Sequence, residues 1–366
     1  MAQQNNRVAY LDMLKCLGMF IVVQGHIHTH YGWFSLPLHS YVIPLYFLLS
    51  GLTFRRTKFP TFGAFALHRA KSLLLPYAMF SVLTWAFWAV YNTVLKNPVD
   101  LWWPLFQTLV AQGSGKFLVH NVPLWFIPCL FVIETFYYYI DKLPVIWNVL
   151  TCVLCALIGV WMINGPYSDF FKLLPWSMES AFSAIIFYCA GNVLTKFYSL
   201  KQIEETVISK KWHAIAAILV LTPILVVSSY WNGHISLGSD LLGRSPILFY
   251  VNAFIGIVTV FLFSILVCNI KWDCKLWKWI MDFHLFFGRN SFYIMATHVP
   301  LKGIIMVAIA GLIHKSVYFV GNDYVCCAIV FATTCAICSV LAIFIGKLKE
   351  LDHQRIENWK NKSHHV

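Results

Sequence analysis

Residues 8–33 read VAYLDMLKCLGMFIVVQGHIHTHYGW. The run is long and apolar enough to cross a membrane, yet it contains Asp12, Lys15, His26, His28 and His30. An ionisable side chain in hydrocarbon costs roughly 2.5–3.5 kcal/mol on insertion scales. Several of them in one helix point to use rather than tolerance. At 3.6 residues per turn, Lys15 and His26 nearly eclipse each other. Asp12, Lys15, Val22, His26 and His30 then share one stripe, with Lys15 near the start of the helix and the histidines towards its far end, while His28 faces elsewhere.

The rest of the chain has the same character. Of 366 residues, 59% are hydrophobic and 11% charged, against about 25% charged in soluble domains. This predicts an all-α, polytopic membrane helix bundle. A net charge of +12 would suggest nucleic acid in a soluble protein. Here the basic residues fall between apolar runs, and no basic stretch interleaved with aromatics resembles a nucleic-acid module. The 17% aromatic content suits interfacial belts and leaves faces that would allow a dimer. Of the eleven cysteines, Cys152–Cys155 and Cys335–Cys338 have C-x-x-C spacing. Both pairs lie within apolar runs, where cysteine serves as a small packing residue.

Ten apolar runs are long enough to span, near 9–30, 37–54, 72–94, 123–140, 144–163, 177–196, 212–230, 246–270, 288–312 and 323–346. The second is short and holds Pro44. Residues 96–122 read as an extracytoplasmic loop with an interfacial piece. With the N-terminus inside, twenty-one Lys and Arg residues fall on the cytoplasmic side and five outside, with Lys302 inside a span. That asymmetry predicts both termini in the cytoplasm. The first run is too long for a cleavable signal peptide and should stay as an anchor. Residues 1–346 form one transmembrane domain on this reading, and 347–366 a short charged cytoplasmic tail. No internal repeat suggests transporter symmetry.

Four constellations can carry chemistry. On the first helix, His26 suits a general base oriented by Asp12 or by a carboxylate from another helix. The competing readings are His26 and His30 as an i, i+4 metal pair, which lacks a third ligand, or histidines resting at the interface. The second is basic: Arg55, Arg56 and Lys58, then Arg69 and Lys71, flank the second and third spans. Such groups bind phosphates or anchor to anionic lipid. The third is Leu-Trp-Phe at 124–126, followed by Glu134 in mid-membrane, a position that marks a functional or a hydrogen-bonded structural carboxyl. The fourth is Gly288-Arg289-Asn290-Ser291, read as a helix cap, with His298 two to three turns on.

Taken in order, these residues resemble the acyltransferase-3 family of bacterial integral-membrane O-acyltransferases. The resemblance begins at Arg7, Leu11-Asp12, Lys15 and Val22-Val23-Gln24-Gly25-His26. It continues through Tyr46-Phe-Leu-Leu-Ser-Gly51, Arg55-Arg56 and Arg69-Ala-Lys-Ser-Leu-Leu-Leu-Pro-Tyr77. Val122-Pro-Leu-Trp-Phe126 and residues 288–298 resemble later family signatures. The resemblance implies transfer of an acyl group, usually acetyl from cytoplasmic acetyl-CoA, to a hydroxyl of a surface glycan or lipid-linked sugar. His26 would act as base or acyl carrier, with Asp12, Glu134 and His298 as further catalytic candidates. Arg7, Lys15, Arg55, Arg56, Arg69 and Lys71 would hold the donor, and no metal is called for. The family's Arg-x-x-Arg motif has Ser72 at its second position here. Relatives often carry a fused extracytoplasmic hydrolase-like domain; none is expected in this sequence, so this chain is expected to act alone in the bacterial cytoplasmic membrane. The rival expectation is a transporter or flippase of a polar or lipid-linked substrate, since intramembrane charges suit a proton-coupled carrier equally.

Overall fold

The structure, a computed structural model, describes residues 8–27, 35–94, 96–113 and 117–363. Among them, ten helices are long and apolar enough to span a membrane: α1 Ala9–Ile27, α2 Ser35–Thr53, α3 Phe62–Val94, α4 Val122–Ile140, α5 Val145–Asn164, α6 Pro175–Phe197, α7 Lys211–Asn232, α8 Pro246–Cys268, α9 Ser291–Leu312 and α10 Tyr324–Leu348. Each expected run is therefore a helix. α10 continues without a break to Ser363, across the expected boundary at 346.

Two irregularities follow from proline. In α2 the helix breaks at Ser40 and Tyr41. Pro44 has no N–H to offer the carbonyl of Ser40, and its ring crowds that carbonyl. The break leaves His39 at the end of a short N-terminal piece. In α3, Ala70–Leu74 form a π-turn directly before Pro76, which likewise leaves the carbonyl of Ser72 without its usual donor.

Lipid cannot drive two apolar helices together, so close packing must do it. α6 lies against α2 and α5. Added Cβ atoms would strike the Tyr188 backbone from Gly51 and the Leu48 backbone from Gly191, so both glycines are needed where α2 and α6 touch. α1 is interior, with Tyr10, Leu14 and Val23 fully buried. It packs against α2, α8, α9 and the helix Lys275–Arg289. α3 and α7 are peripheral, presenting Leu75, Met79, Leu83, Val90, Leu219 and Val227 outward, as lipid-facing helices must.

The connections fall into two sets. One end of the bundle carries Arg55, Arg56, Lys58, Asp141 and the helices Leu200–Ser209 and Lys275–Arg289, and is called the basic end below. The expected interfacial piece lies at the opposite end, as the helix Trp103–Val110 with Trp102, Trp103, Phe106 and Leu109 exposed. A two-stranded hairpin, β1 Ile235–Ser236 and β2 Leu241–Leu242, also lies there, pairing Ile235 with Leu242 and Ser236 with Leu241. Asn232 secures its base, donating to the Leu242 carbonyl at 3.1 Å and accepting from Ser245 N–H at 2.8 Å.

The 288–291 segment differs from expectation. Gly288 and Arg289 end the helix Lys275–Arg289, and Asn290 donates back to the Phe286 carbonyl at 2.9 Å. Its amide closes that helix instead of capping α9.

Candidate active site

His26 is the penultimate residue of α1, at the end away from the basic residues. It lines a cavity of about 230 Å³ with Gly25, His39, Trp125, His234 and the hairpin loop Ser236–Ser239. A side chain at Gly25 would collide with the His39 imidazole, so the Gly25-His26 step lets His39 lean over the helix end. His39 is itself held by its Nδ1, 2.7 Å from the Ser35 carbonyl. Burial pushes the His234 imidazole below its ordinary value, which keeps it neutral near pH 7.

Behind His26 stands α9. The His298 ring centre lies 5.2 Å from that of His26. His298 Nδ1 sits 3.0 Å from the Ile294 carbonyl. A carbonyl only accepts, so Nδ1 carries the proton and Nε2 presents a lone pair. That Nε2 is buried and has no partner among the described residues. One turn further, Lys302 donates to the backbone carbonyl of His26. His298 was expected in the site, whereas Lys302, His39 and His234 were not. The lone lysine inside a span was the legible signal for Lys302.

The structure does not bring the two candidate carboxylates to His26. Asp12 lies fourteen positions back along α1, roughly 21 Å at 1.5 Å per residue. It pairs with Arg289 at 3.3 Å and Lys15 at 3.9 Å, joining α1 to the helix Lys275–Arg289. Glu134 accepts two hydrogen bonds from Arg69, at Nε and Nη2. It belongs to a pocket of about 210 Å³ at the basic end, which also includes Ser50, Thr53, Arg55, Lys58, His68 and Tyr188.

The expected donor-side residues divide. Arg55 and Arg69 line this pocket. Arg55 donates to the Phe54 carbonyl at 2.7 Å and to Thr195 at 3.3 Å. Arg56 does not line it. With Lys196 it clamps Asp141, at 3.1 and 2.6 Å. Lys71, within the π-turn, is exposed outside the lining. Lys15 remains with Asp12. Arg7 and His30 lie outside the described residues. Lys58, a member of the expected basic cluster, and His68 also line the pocket.

The pocket and the His26 cavity are strung along α2. Ile43, Tyr46, Ser50 and Thr53 fall at i, i+3, i+7 and i+10, on one face of the helix. Ile43 lines the His26 cavity and a smaller one of about 60 Å³ that also touches His26, Trp125 and Tyr46. Ser50 and Thr53 line the basic pocket. From Ile43 to Thr53 is roughly 15 Å along the axis. Tyr46 stands between, its hydroxyl donating to the Lys15 carbonyl at 2.8 Å.

The cavity hairpin has its own support. Ser180 donates to the Leu237 carbonyl at 2.8 Å and approaches Asp240 at 3.4 Å. Gln112 donates to Glu179 at 3.0 Å and to the Lys172 carbonyl at 2.8 Å. Burial pushes the Asp240 carboxyl from 3.8 up to about 6, against the pull of Lys172. Among the described residues, no cluster of three or more His, Cys, Asp or Glu is placed to hold a metal ion.

A half-buried imidazole touching two cavities, with a basic pocket at the other end of the α2 face those cavities share, suits group transfer between two substrates that enter from opposite ends. No curated protein and no solved structure matches the chain. The family model described as an acyltransferase domain matches residues 8–341. That match takes in α1, the basic pocket, the hairpin and α9, and the chain therefore belongs to the acyltransferase-3 family of membrane acyltransferases.

Proposed function

We propose that this acyltransferase moves an acetyl group from acetyl-CoA to a sugar hydroxyl of a surface glycan or lipid-linked intermediate, with the basic end in the cytoplasm of a bacterial cell. The carrying observation is the position of His26 in the wall shared by two cavities, on the α2 face that also leads to the basic pocket. Lys58 and Arg55 offer cations to the donor's phosphates, and Phe59 and Phe65 line the same pocket. The stripe Ile43–Tyr46–Ser50–Thr53 spans roughly 15 Å between the basic pocket and the His26 cavities, a distance comparable to a pantetheine arm. On the opposite side, the indole of Trp125, the imidazoles of His39 and His234 and the hydroxyls of Ser236 and Ser239 offer an aromatic face and hydrogen bonds. These are the groups that a sugar ring uses.

In direct transfer, His26 takes the hydroxyl proton as the hydroxyl oxygen bonds to the acyl carbon. The carbonyl electron pair moves onto oxygen and then returns as the carbon–sulfur bond breaks, and His26 passes its proton to the departing thiolate. In the relay version a His26 ring nitrogen bonds to the acyl carbon, the carbon–sulfur bond breaks and coenzyme A leaves as the thiol with the ring's proton; the sugar hydroxyl oxygen then bonds to that carbon, the nitrogen–carbon bond breaks, and the hydroxyl proton returns to the imidazole. In either, the group behind the base is the imidazole of His298, with its ring centre 5.2 Å from that of His26, and not an expected carboxylate. Membership of an acyltransferase family favours this over transport.

The test is acetylation of acceptor in membranes supplied with labelled acetyl-CoA. His26→Ala should abolish it, by a factor of at least about 10². Wild-type incorporation by that variant would remove His26 from the reaction.

A further inference from the structure

Pro300 lies inside the α9 helix. Proline has no N–H, so the Ala296 carbonyl loses its usual donor four residues on, and the ring crowds that carbonyl. Ala296 is fully buried. A break of this kind inside a membrane span is tolerated when a neighbouring group supplies the missing hydrogen bond. Here that group is the Asn121 side chain, whose Nδ2 donates to the Ala296 carbonyl at 2.7 Å. Asn121 is fully buried as well, and its amide makes the bond without bringing a charge into the interior.

Asn121 is rooted in the wall of the His26 cavity. Its backbone N–H donates to the Leu118 carbonyl at 2.8 Å, and its own carbonyl accepts from the Leu124 N–H at 3.2 Å. It directly precedes the turn Val122–Trp125 that opens α4, and Val122 and Trp125 line that cavity. On α9, His298 stands midway between Ala296 and Pro300, with its Nδ1 held by the Ile294 carbonyl one turn back. The proline break therefore straddles the imidazole whose ring centre lies 5.2 Å from that of His26. One amide ties the wall of the cavity to the turn that carries this imidazole.

We propose, on the acyl-transfer reading above, that Asn121 is a positioning residue. It fastens the proline break of α9 to the cavity wall and so fixes His298 behind His26. Asn121 lines neither cavity that touches His26, so it acts through His298 and not by contact with substrate.

The experiment compares Asn121→Leu, Pro300→Ala, the Asn121→Leu, Pro300→Ala double variant and His26→Ala in membranes, with labelled acetyl-CoA and the acceptor, and measures thermal unfolding of each in detergent. Leucine keeps the branched shape of asparagine and removes the donor. Alanine at 300 returns an N–H to the Ala296 carbonyl, which separates the tie to the wall from the missing hydrogen bond. Asn121→Leu should lose about tenfold or more in kcat, since a displacement of about 1 Å can cost ~10²-fold. KM for acetyl-CoA should stay within roughly twofold, because the basic pocket is left intact. The double variant should unfold close to the temperature of Pro300→Ala, yet turn over about tenfold more slowly than it does. Unchanged kcat in Asn121→Leu would overturn the proposal. So would a double variant that matches Pro300→Ala in kcat, which would show that the amide only fills the gap left by proline. Should Asn121→Leu fail to fold, the double variant against Pro300→Ala decides alone. If Asn121→Leu keeps full activity while His26→Ala has none, only the role of Asn121 falls. If His26→Ala still transfers acetyl, the acyl-transfer reading falls and this inference with it.

Discussion

At the scale of single residues, the basic pocket depends on one ion pair. Glu134 is almost wholly buried, and its carboxylate is matched by the two-pronged Arg69 guanidinium. Removing one partner of such a pair leaves a buried charge and costs about 3–5 kcal/mol, whereas replacing both with apolar groups is often neutral. Glu134→Gln should therefore lower the unfolding temperature in detergent and weaken acetyl-CoA binding. A Glu134→Leu, Arg69→Met double variant should regain stability without regaining donor affinity. Recovery of both would mean that the pair serves only the fold. That Glu134 mattered was legible from a carboxyl in mid-membrane. That it faces Arg69 rather than His26 was not, because sequence spacing gives no distance between helices. Asp12 shows the same limit. It shares the stripe of His26, but a stripe runs the length of a helix, and the two residues serve opposite ends of α1.

At the scale of elements, helix existence was readable throughout, since each span is a long apolar run with polar ends. The breaks were half readable. Pro44 and Pro76 were visible, but their effect on His39 and Lys71 depended on which carbonyl lost its donor. The hairpin β1–β2 was invisible, because two residues per strand leave no periodicity. Its tether carries a pH dependence. Asp240 faces Glu179 and Ser180 of α6, with Lys172 and Cys129 nearby. Its folded value lies above the ordinary one, so ionisation is unfavourable in the folded hairpin. The stabilisation is complete below 3.8 and lost as pH rises through about 6. Amide protection over residues 235–242, corrected for intrinsic exchange, should be higher at pH 5 than at pH 7, and Asp240→Asn should flatten the difference. Equal protection in the wild type at both pH values would show that the tether does not depend on this proton.

At the scale of the whole molecule, the distribution of lysine and arginine predicts which end faces the cytoplasm. One cysteine reports on it. Cys274 is the exposed cysteine among the described residues, in the connection before the helix Lys275–Arg289 at the basic end. A membrane-impermeant maleimide should label it in inside-out vesicles and not in intact cells, and Cys274→Ser should remove the signal. Labelling in intact cells would invert the proposed orientation. Membership of the acyltransferase-3 family was legible across almost the full length, since its motifs fall on helix ends and turns that single residues define.

The hairpin invites one practical consequence. It is fastened from behind, through Asn232, Ser180 and the Leu237 carbonyl, while the hydroxyls of Ser236 and Ser239 meet each other at 3.1 Å. Fastening and display thus reside in different atoms of one short segment. On the proposed acceptor reading, Ser236 and Ser239 are the places to retune acceptor choice by engineering, whereas Leu237 is buried and a side chain at Gly238 would strike Trp125.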